Sequence, residues 1–175
     1  MTPKKFFGLH SHSNLSIGDA VGQPSDHINF VIENGGDGLA LTEHGNQNSL
    51  AAGWLHTKDL RSKEKNFKFV SGVEMYLVPD LQEWRQEYEK HREEKKIKKD
   101  KEAEGSSGEN EDDKNVKDTG ILYRRNHLVV LPKNRKGLEN LFTLVSKSFK
   151  EENFYRFPRV DLKLLKEHSE DLVAS

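Results

Sequence analysis

An α/β fold is predicted by three observations. Short apolar runs recur along the chain, helical stretches separate them, and several runs end in histidine or acidic residues. The first run, residues 6–9, is extended and apolar and opens directly onto His10-Ser11-His12. Pro24-Ser25-Asp26 is a helix start, with Pro in the first turn; Ile28, Val31 and Ile32 form one face, and Gly35-Gly36 ends it. Residues 38–41 read as a second strand, leading into Thr42-Glu43-His44-Gly45-Asn46. A helix over about 48–60 precedes a third strand, 67–73, which contains Gly72 and leads through Glu74. After a charged stretch come a strand at 128–131 and a helix over 138–145 with apolar residues at three- and four-residue steps. A last helix at about 160–168 and a strand at 172–174 follow. This alternation predicts parallel strands. Periodicity alone leaves barrel and open sheet as alternatives.

Charge divides the 175 residues into three parts. Residues 1–81 carry 7 basic and 9 acidic side chains, 82–118 carry 10 and 13, and 119–175 carry 11 and 7. The middle part is nearly devoid of aliphatic residues and reads as an insertion on a folded body. Its first half has Glu and Lys at helical spacings such as Glu94/Lys98, predicting an exposed helix. Residues 105–113 are rich in Gly, Ser and acid, predicting a flexible loop. Mixed charge of this kind reads as a solvated excursion ahead of a DNA-gripping arm. The chain has no cysteine, which excludes a disulfide or thiolate site within it, and no apolar run of membrane-spanning length or signal-peptide core. The expected location is cytoplasmic, with no membrane partner.

The polar residues fall at the strand ends, the face where parallel α/β folds build sites. Alternate residues of an extended segment point the same way, so His10 and His12 can reach one ion together. His44 and Glu74 arrive at the same pole from the next two strands. Asp19, in the loop after the first strand, can add an oxygen or serve as a turn or capping residue behind Gly18. His127 precedes its strand, and spacing does not select it. His27, His56, His91 and His168 read as surface histidines. Imidazole and carboxylate without thiolate suit zinc, manganese or iron. Ions bridged by a carboxylate such as Glu74 polarise a phosphate and lower the pKa of water, which points to a multinuclear hydrolase.

At these residues the sequence resembles the PHP (polymerase and histidinol phosphatase) superfamily. The first motif of that family is similar to His10-Ser11-His12-Ser13 with Ser16-Ile17-Gly18-Asp19-Ala20, where Ala20 stands in place of a Gly. The second resembles Thr42-Glu43-His44-Gly45-Asn46, with Glu43 in place of Asp, and the third Gly72-Val73-Glu74. His127-Leu128-Val129-Val130-Leu131, Leu138-Glu139-Asn140-Leu141, Pro158-Arg159 and Lys166-Glu167-His168-Ser169-Glu170 resemble one branch, the domain at the front of the bacterial DNA polymerase III α subunit.

The resemblance implies a distorted (β/α)7 TIM-like barrel, incomplete here at the C-terminus, holding two to three divalent ions. Its ligand set maps onto His10, His12, Asp19, His44, Glu74 and His127, with Glu74, His12 and His44 as the positions on which catalysis depends. Three further ligands of the family correspond to positions after Ser175, so residues 1–175 alone are expected to be weak or inactive. The implied activity is 3′→5′ exonucleolytic phosphoester hydrolysis. The implied partners are a single-stranded DNA 3′ end, the remainder of a polymerase chain and other replisome subunits. Two other readings stand beside it: a non-catalytic module that stabilises the polymerase or docks a proofreading subunit, and a stand-alone phosphatase of the histidinol-phosphatase type.

Overall fold

The computed structural model describes residues 7–103, 120, 122 and 125–175. In chain order the elements are α1 (Pro24–Glu33), β1 (Gly38–His44), α2 (Ser49–Ser62), β2 (Lys68–Leu77), α3 (Leu81–Ala103) and β3 (Asn126–Pro132). They continue with α4 (Arg135–Ser148), a short 3-10 turn, β4 (Phe154–Tyr155), β5 (Phe157–Val160), α5 (Leu162–Glu167) and β6 (Leu172–Ala174). Local chemistry sets several boundaries. The Gln23 amide donates to the Asp26 carboxylate at 2.8 Å ahead of α1, and Gly35 follows the helix at φ 77°. Asn134 and Asp161 accept from Gly137 and Leu164 amides and so cap α4 and α5.

β2 is the centre of the sheet. Along one edge β1 pairs with it in parallel, from Gly38 opposite Lys68 to His44 opposite Glu74. Where β1 stops, β5 takes over the same edge in parallel, with Arg159 opposite Tyr76. β3 lies antiparallel on the other edge, with Val129 opposite Glu74 and His127 opposite Tyr76, and β6 is antiparallel to β3. The fold is therefore mixed α/β. The expectation that 128–131 runs parallel to the first strands is corrected, whereas 172–174, antiparallel to β3, runs in the same direction as β1 and β2: an apolar alternation looks the same in either direction, and direction is set by which edge the chain returns to. The expected strand at 6–9 is reduced to a single parallel bridge, Gly8 to Leu39, continued by hydrogen bonds from Ala40 N to Gly8 O and Thr42 N to Ser11 O, both 2.8 Å.

Strand alternation sorts the sheet into two faces. Val73 and Met75 pack with Val130, Val160 and the Leu141/Leu144 ridge of α4. Leu39 and Leu41 pack with Ile28, Leu60 and Phe67. Each fully buried aliphatic side chain in these clusters contributes about 1.5–3 kcal/mol of hydrophobic stabilisation. His44, Glu74, Tyr76 and His127 are left together on the opposite face by the same alternation.

The start of α3 differs from an exposed helix. Trp84 is fully buried with Val78, Leu81 and Leu122, and its ring lies 4.5 Å from the Arg159 guanidinium. Arg159 is itself buried and donates to the carbonyls of Tyr155 and Phe157, both at 2.7 Å, and of Leu122 at 2.8 Å. Burial, then the charge of Arg125, pulls its pKa down to about 10. These bonds tie the β4–β5 turn to the root of α3. From Lys95 to Asp100 the helix is exposed. The expected loop at 105–113 lies outside the described residues.

Candidate metal centre

Glu74 is the hub of the site. Its side chain is 2% exposed, and both carboxylate oxygens face imidazoles. Oε2 lies 2.9 Å from Nε2 of His10 and 2.9 Å from Nε2 of His12, while Oε1 meets Nδ1 of His127. His44 Nδ1 is 3.5 Å from Oε2, and His44 Nε2 lies 3.1 Å from Asp19 Oδ2. The rings of His12 and His44 stack with centroids 4.3 Å apart. His12 and His44 are mostly covered, whereas His10, Asp19 and His127 form a half-exposed rim.

Each candidate ligand has a structural reason to be there. His44 and Glu74 are register partners on adjacent parallel strands, so their side chains leave the same face side by side. His10 and His12 alternate along the segment that Ser11 and Gly8 hold to β1. His127 enters because β3 runs antiparallel, which brings its N-terminal end to the pole where β1 terminates. All six expected positions thus converge, and His27, His56, His91 and His168 join none of the candidate groups among the described residues.

Three overlapping triads arise: His10/His12/Glu74, His12/Asp19/His44 and His44/Glu74/His127, the ligand atoms in each within 4.8 Å of one another. The residues fit divalent cations. The Nε2 atoms of His10 and His12 face each other at 3.2 Å around one carboxylate oxygen, and Nδ1 of His44 is buried with no hydrogen-bond partner among the described residues. Lone pairs crowded in this way are stabilised by a shared cation, and nitrogen with oxygen donors suits zinc, manganese or iron. The electrostatics favour ligation. Burial opposes the charge of Glu74, but the hydrogen bond from His10 and the positive potential of His127 and His44 hold its pKa below the ordinary value. Burial, then repulsion from His44, lowers that of His12 and keeps its imidazole neutral.

Behind the ligands is a second tier that sequence reasoning did not select. Glu43 is fully buried and, one residue from His44, points away from the triads. Its carboxylate accepts from the Ser13 amide at 3.2 Å, the Ser13 hydroxyl at 2.6 Å and the Ser16 hydroxyl. Ser16 Oγ lies 3.4 Å from Nδ1 of His12 and accepts from the His44 amide at 3.2 Å. Glu43 therefore fixes the loop that orients His12, as outer partners of metal-bound histidines do. Its position as an acid beside a ligand on a buried strand was the available signal. Tyr76 was also missed, although it lies two residues beyond Glu74 on the same face.

Comparison with known proteins identifies relatives of the chain. The chain is 31% identical over 173 residues to the DNA polymerase III subunit alpha of Treponema pallidum, which covers 99% of the chain and 12% of that protein. It is 32% identical over 165 residues to that of Chlamydia muridarum, covering 94% of the chain and 10% of that protein. With the Helicobacter pylori protein it shares 30% over 172 residues, 98% of the chain and 11% of the relative. The chain thus spans about a tenth of the length of the curated relatives it matches. The profile of the PHP domain matches residues 8–175, nearly the whole length, and the chain belongs to the PHP domain family.

Proposed function

We propose that this chain is the PHP domain of a replicative DNA polymerase of the DNA polymerase III α type, acting as a metal-dependent phosphoesterase that removes nucleotides from the 3′ end of single-stranded DNA. The observation that carries the reading is the buried Glu74 carboxylate, shared by two of three overlapping ligand triads. The similarity to polymerase subunits supports the context. In this reading residues 1–175 belong to a longer chain and the sheet is one wall of a (β/α)7 barrel. Residues 82–118 are an insertion whose root is packed at Trp84. The rest of the polymerase chain and other replisome subunits are the partners, in the cytoplasm.

His10, His12, Asp19, His44, Glu74 and His127 would hold two to three divalent ions, zinc, manganese or iron. Such ions, when bound, polarise a phosphoryl oxygen and acidify water. The chain's own residues do the rest. Glu74 stays ionised in a covered position and supplies one oxygen to each of two triads. His12 remains neutral and available as a nitrogen donor. Asp19, His10 and His127 leave the mouth open, so a strand can approach from solvent.

The test is elemental analysis of the longer polymerase chain that carries residues 1–175, followed by digestion of a 5′-labelled single strand with added manganese or zinc. Retained metal and stepwise 3′ shortening that stops with chelator are expected. Glu74→Gln, His12→Ala and His44→Ala should each abolish it. Retained metal with no cleavage of single strands or of phosphate monoesters would leave a non-catalytic module as the better reading, whereas cleavage of monoesters alone would favour a small-molecule phosphatase.

A further inference from the structure

A stacked ridge leads outward from the ligand cluster. The ring of His44 lies parallel to that of Tyr76, centroids 5.9 Å apart, and Tyr76 meets His127 edge-on at 5.2 Å. Tyr76 also contacts Phe157 at 5.1 Å. Over Phe157 sits the guanidinium of Arg125, 4.2 Å from the ring centroid. Two backbone devices hold this ridge in place. Arg125 is anchored two residues before His127 at the entry to β3, and Phe157 follows a tight turn whose carbonyls are tied by buried Arg159.

An exposed arginine on an aromatic ring is by itself an ordinary surface feature. Two further observations make this one different. Tyr76 is 6% exposed, yet its hydroxyl has no hydrogen-bond partner among the described residues. Its ring contacts His44 and His127 on one side and Phe157, the ring under Arg125, on the other, which places it between the arginine and the ligand cluster. Arg125, for its part, has no carboxylate within ion-pair distance among the described residues and stands close enough to Arg159 to depress that group. An unused donor and an uncompensated cation, both packed against Phe157 beside the cluster, are what an anion satisfies.

We propose that Arg125 and Tyr76 form a second phosphate-binding point that holds the phosphodiester next to the one at the ligand cluster. This deepens the proposed function and rests on it for the identity of the neighbouring phosphate. The substrate class it selects is a strand with at least two phosphates rather than a phosphate monoester. Phe157 and Tyr76 act as the rigid support that keeps the guanidinium at a fixed height above the mouth.

The experiment measures binding of a short fluorescent phosphorothioate oligothymidylate to the purified chain by anisotropy at several salt concentrations. Arg125→Ala should raise Kd about ten- to hundredfold, the size of one lost charge-assisted hydrogen bond. It should also reduce the slope of log K against log salt by about one. Arg125→Lys should keep that slope while recovering only part of the affinity, and Tyr76→Phe, which preserves the stacking, should raise Kd several-fold. Parental Kd and slope in Arg125→Ala and Tyr76→Phe, both with parental metal content, would overturn the proposal, as would a parent chain that does not bind the oligonucleotide. Because binding is read without turnover, weakened variants of a parent whose longer polymerase chain also hydrolyses nothing would uphold the phosphate point and reject the nuclease reading. Parental Kd and KM in variants of a hydrolysing parent would do the reverse.

Discussion

Glu74 and His127 meet across an antiparallel strand pair, diagonal neighbours on one face, with the His127 Nδ1 against one carboxylate oxygen while His10 and His12 occupy the other. The two residues should consequently differ in how many ions depend on them. Glu74 belongs to two triads and His127 to one. Glu74→Gln is expected to lower bound metal by more than one equivalent, and His127→Ala by no more than one. Elemental analysis after equilibration with zinc or manganese checks this. Equal losses from both variants would show that Glu74 does not bridge.

The second tier should matter without touching an ion. Glu43→Gln preserves volume but replaces an acceptor oxygen with a donor facing the Ser13 amide and hydroxyl. Metal affinity is expected to fall about 10–100-fold, as for other outer-tier changes. Ser16→Ala, which removes one hydroxyl from between Glu43, His12 and the His44 amide but leaves the Glu43–Ser13 bonds, should cost less. Competition with a chromogenic chelator measures both, and parental affinity in Glu43→Gln would reject the role assigned to it.

Acid should destabilise the metal-free protein in two stages. His12 is held below its ordinary 6.5, so the unfolded chain binds a proton that the folded chain resists, and stability declines as pH falls below 6.5. Glu74 is held below its ordinary 4.5, so its contribution is present above 4.5 and disappears as pH falls through the folded value. Thermal unfolding in chelator should show Tm falling through both ranges. A Tm that rises on acidification from neutrality would contradict both shifts.

The root and the shaft of α3 should respond differently. Trp84→Ala removes a fully buried side chain and is expected to cost about 3–5 kcal/mol. Joining the chain across residues 95–117 with a short Gly-Ser bridge should cost about 1 kcal/mol or less, because loop entropy changes slowly with length. Urea denaturation of the two variants provides the comparison, and similar losses would place the charged segment in the packed body.

Much of the site could be read from the one-dimensional pattern. Apolar runs ending in His10/His12, His44 and Glu74 specify strands that deliver ligands to one pole, since a strand's alternation is a local property of the backbone. Helix starts and stops were equally legible at Pro24 and Gly35, where capping chemistry is local, whereas the helix expected over 138–145 begins earlier, at Arg135 behind its cap Asn134. What the chain alone decided is therefore the period, the ends and the donor types. Tertiary structure decided direction and depth. Alternation is identical in parallel and antiparallel strands, so only the pairing of β3 with β2 shows why His127, at the start of its strand, reaches Glu74. Burial depends on which surface returns to cover a residue. Glu43 thus becomes a buried anchor against Ser13 and Ser16, and Trp84, in a segment that composition marks as solvated, is closed over by Leu122 and Arg159.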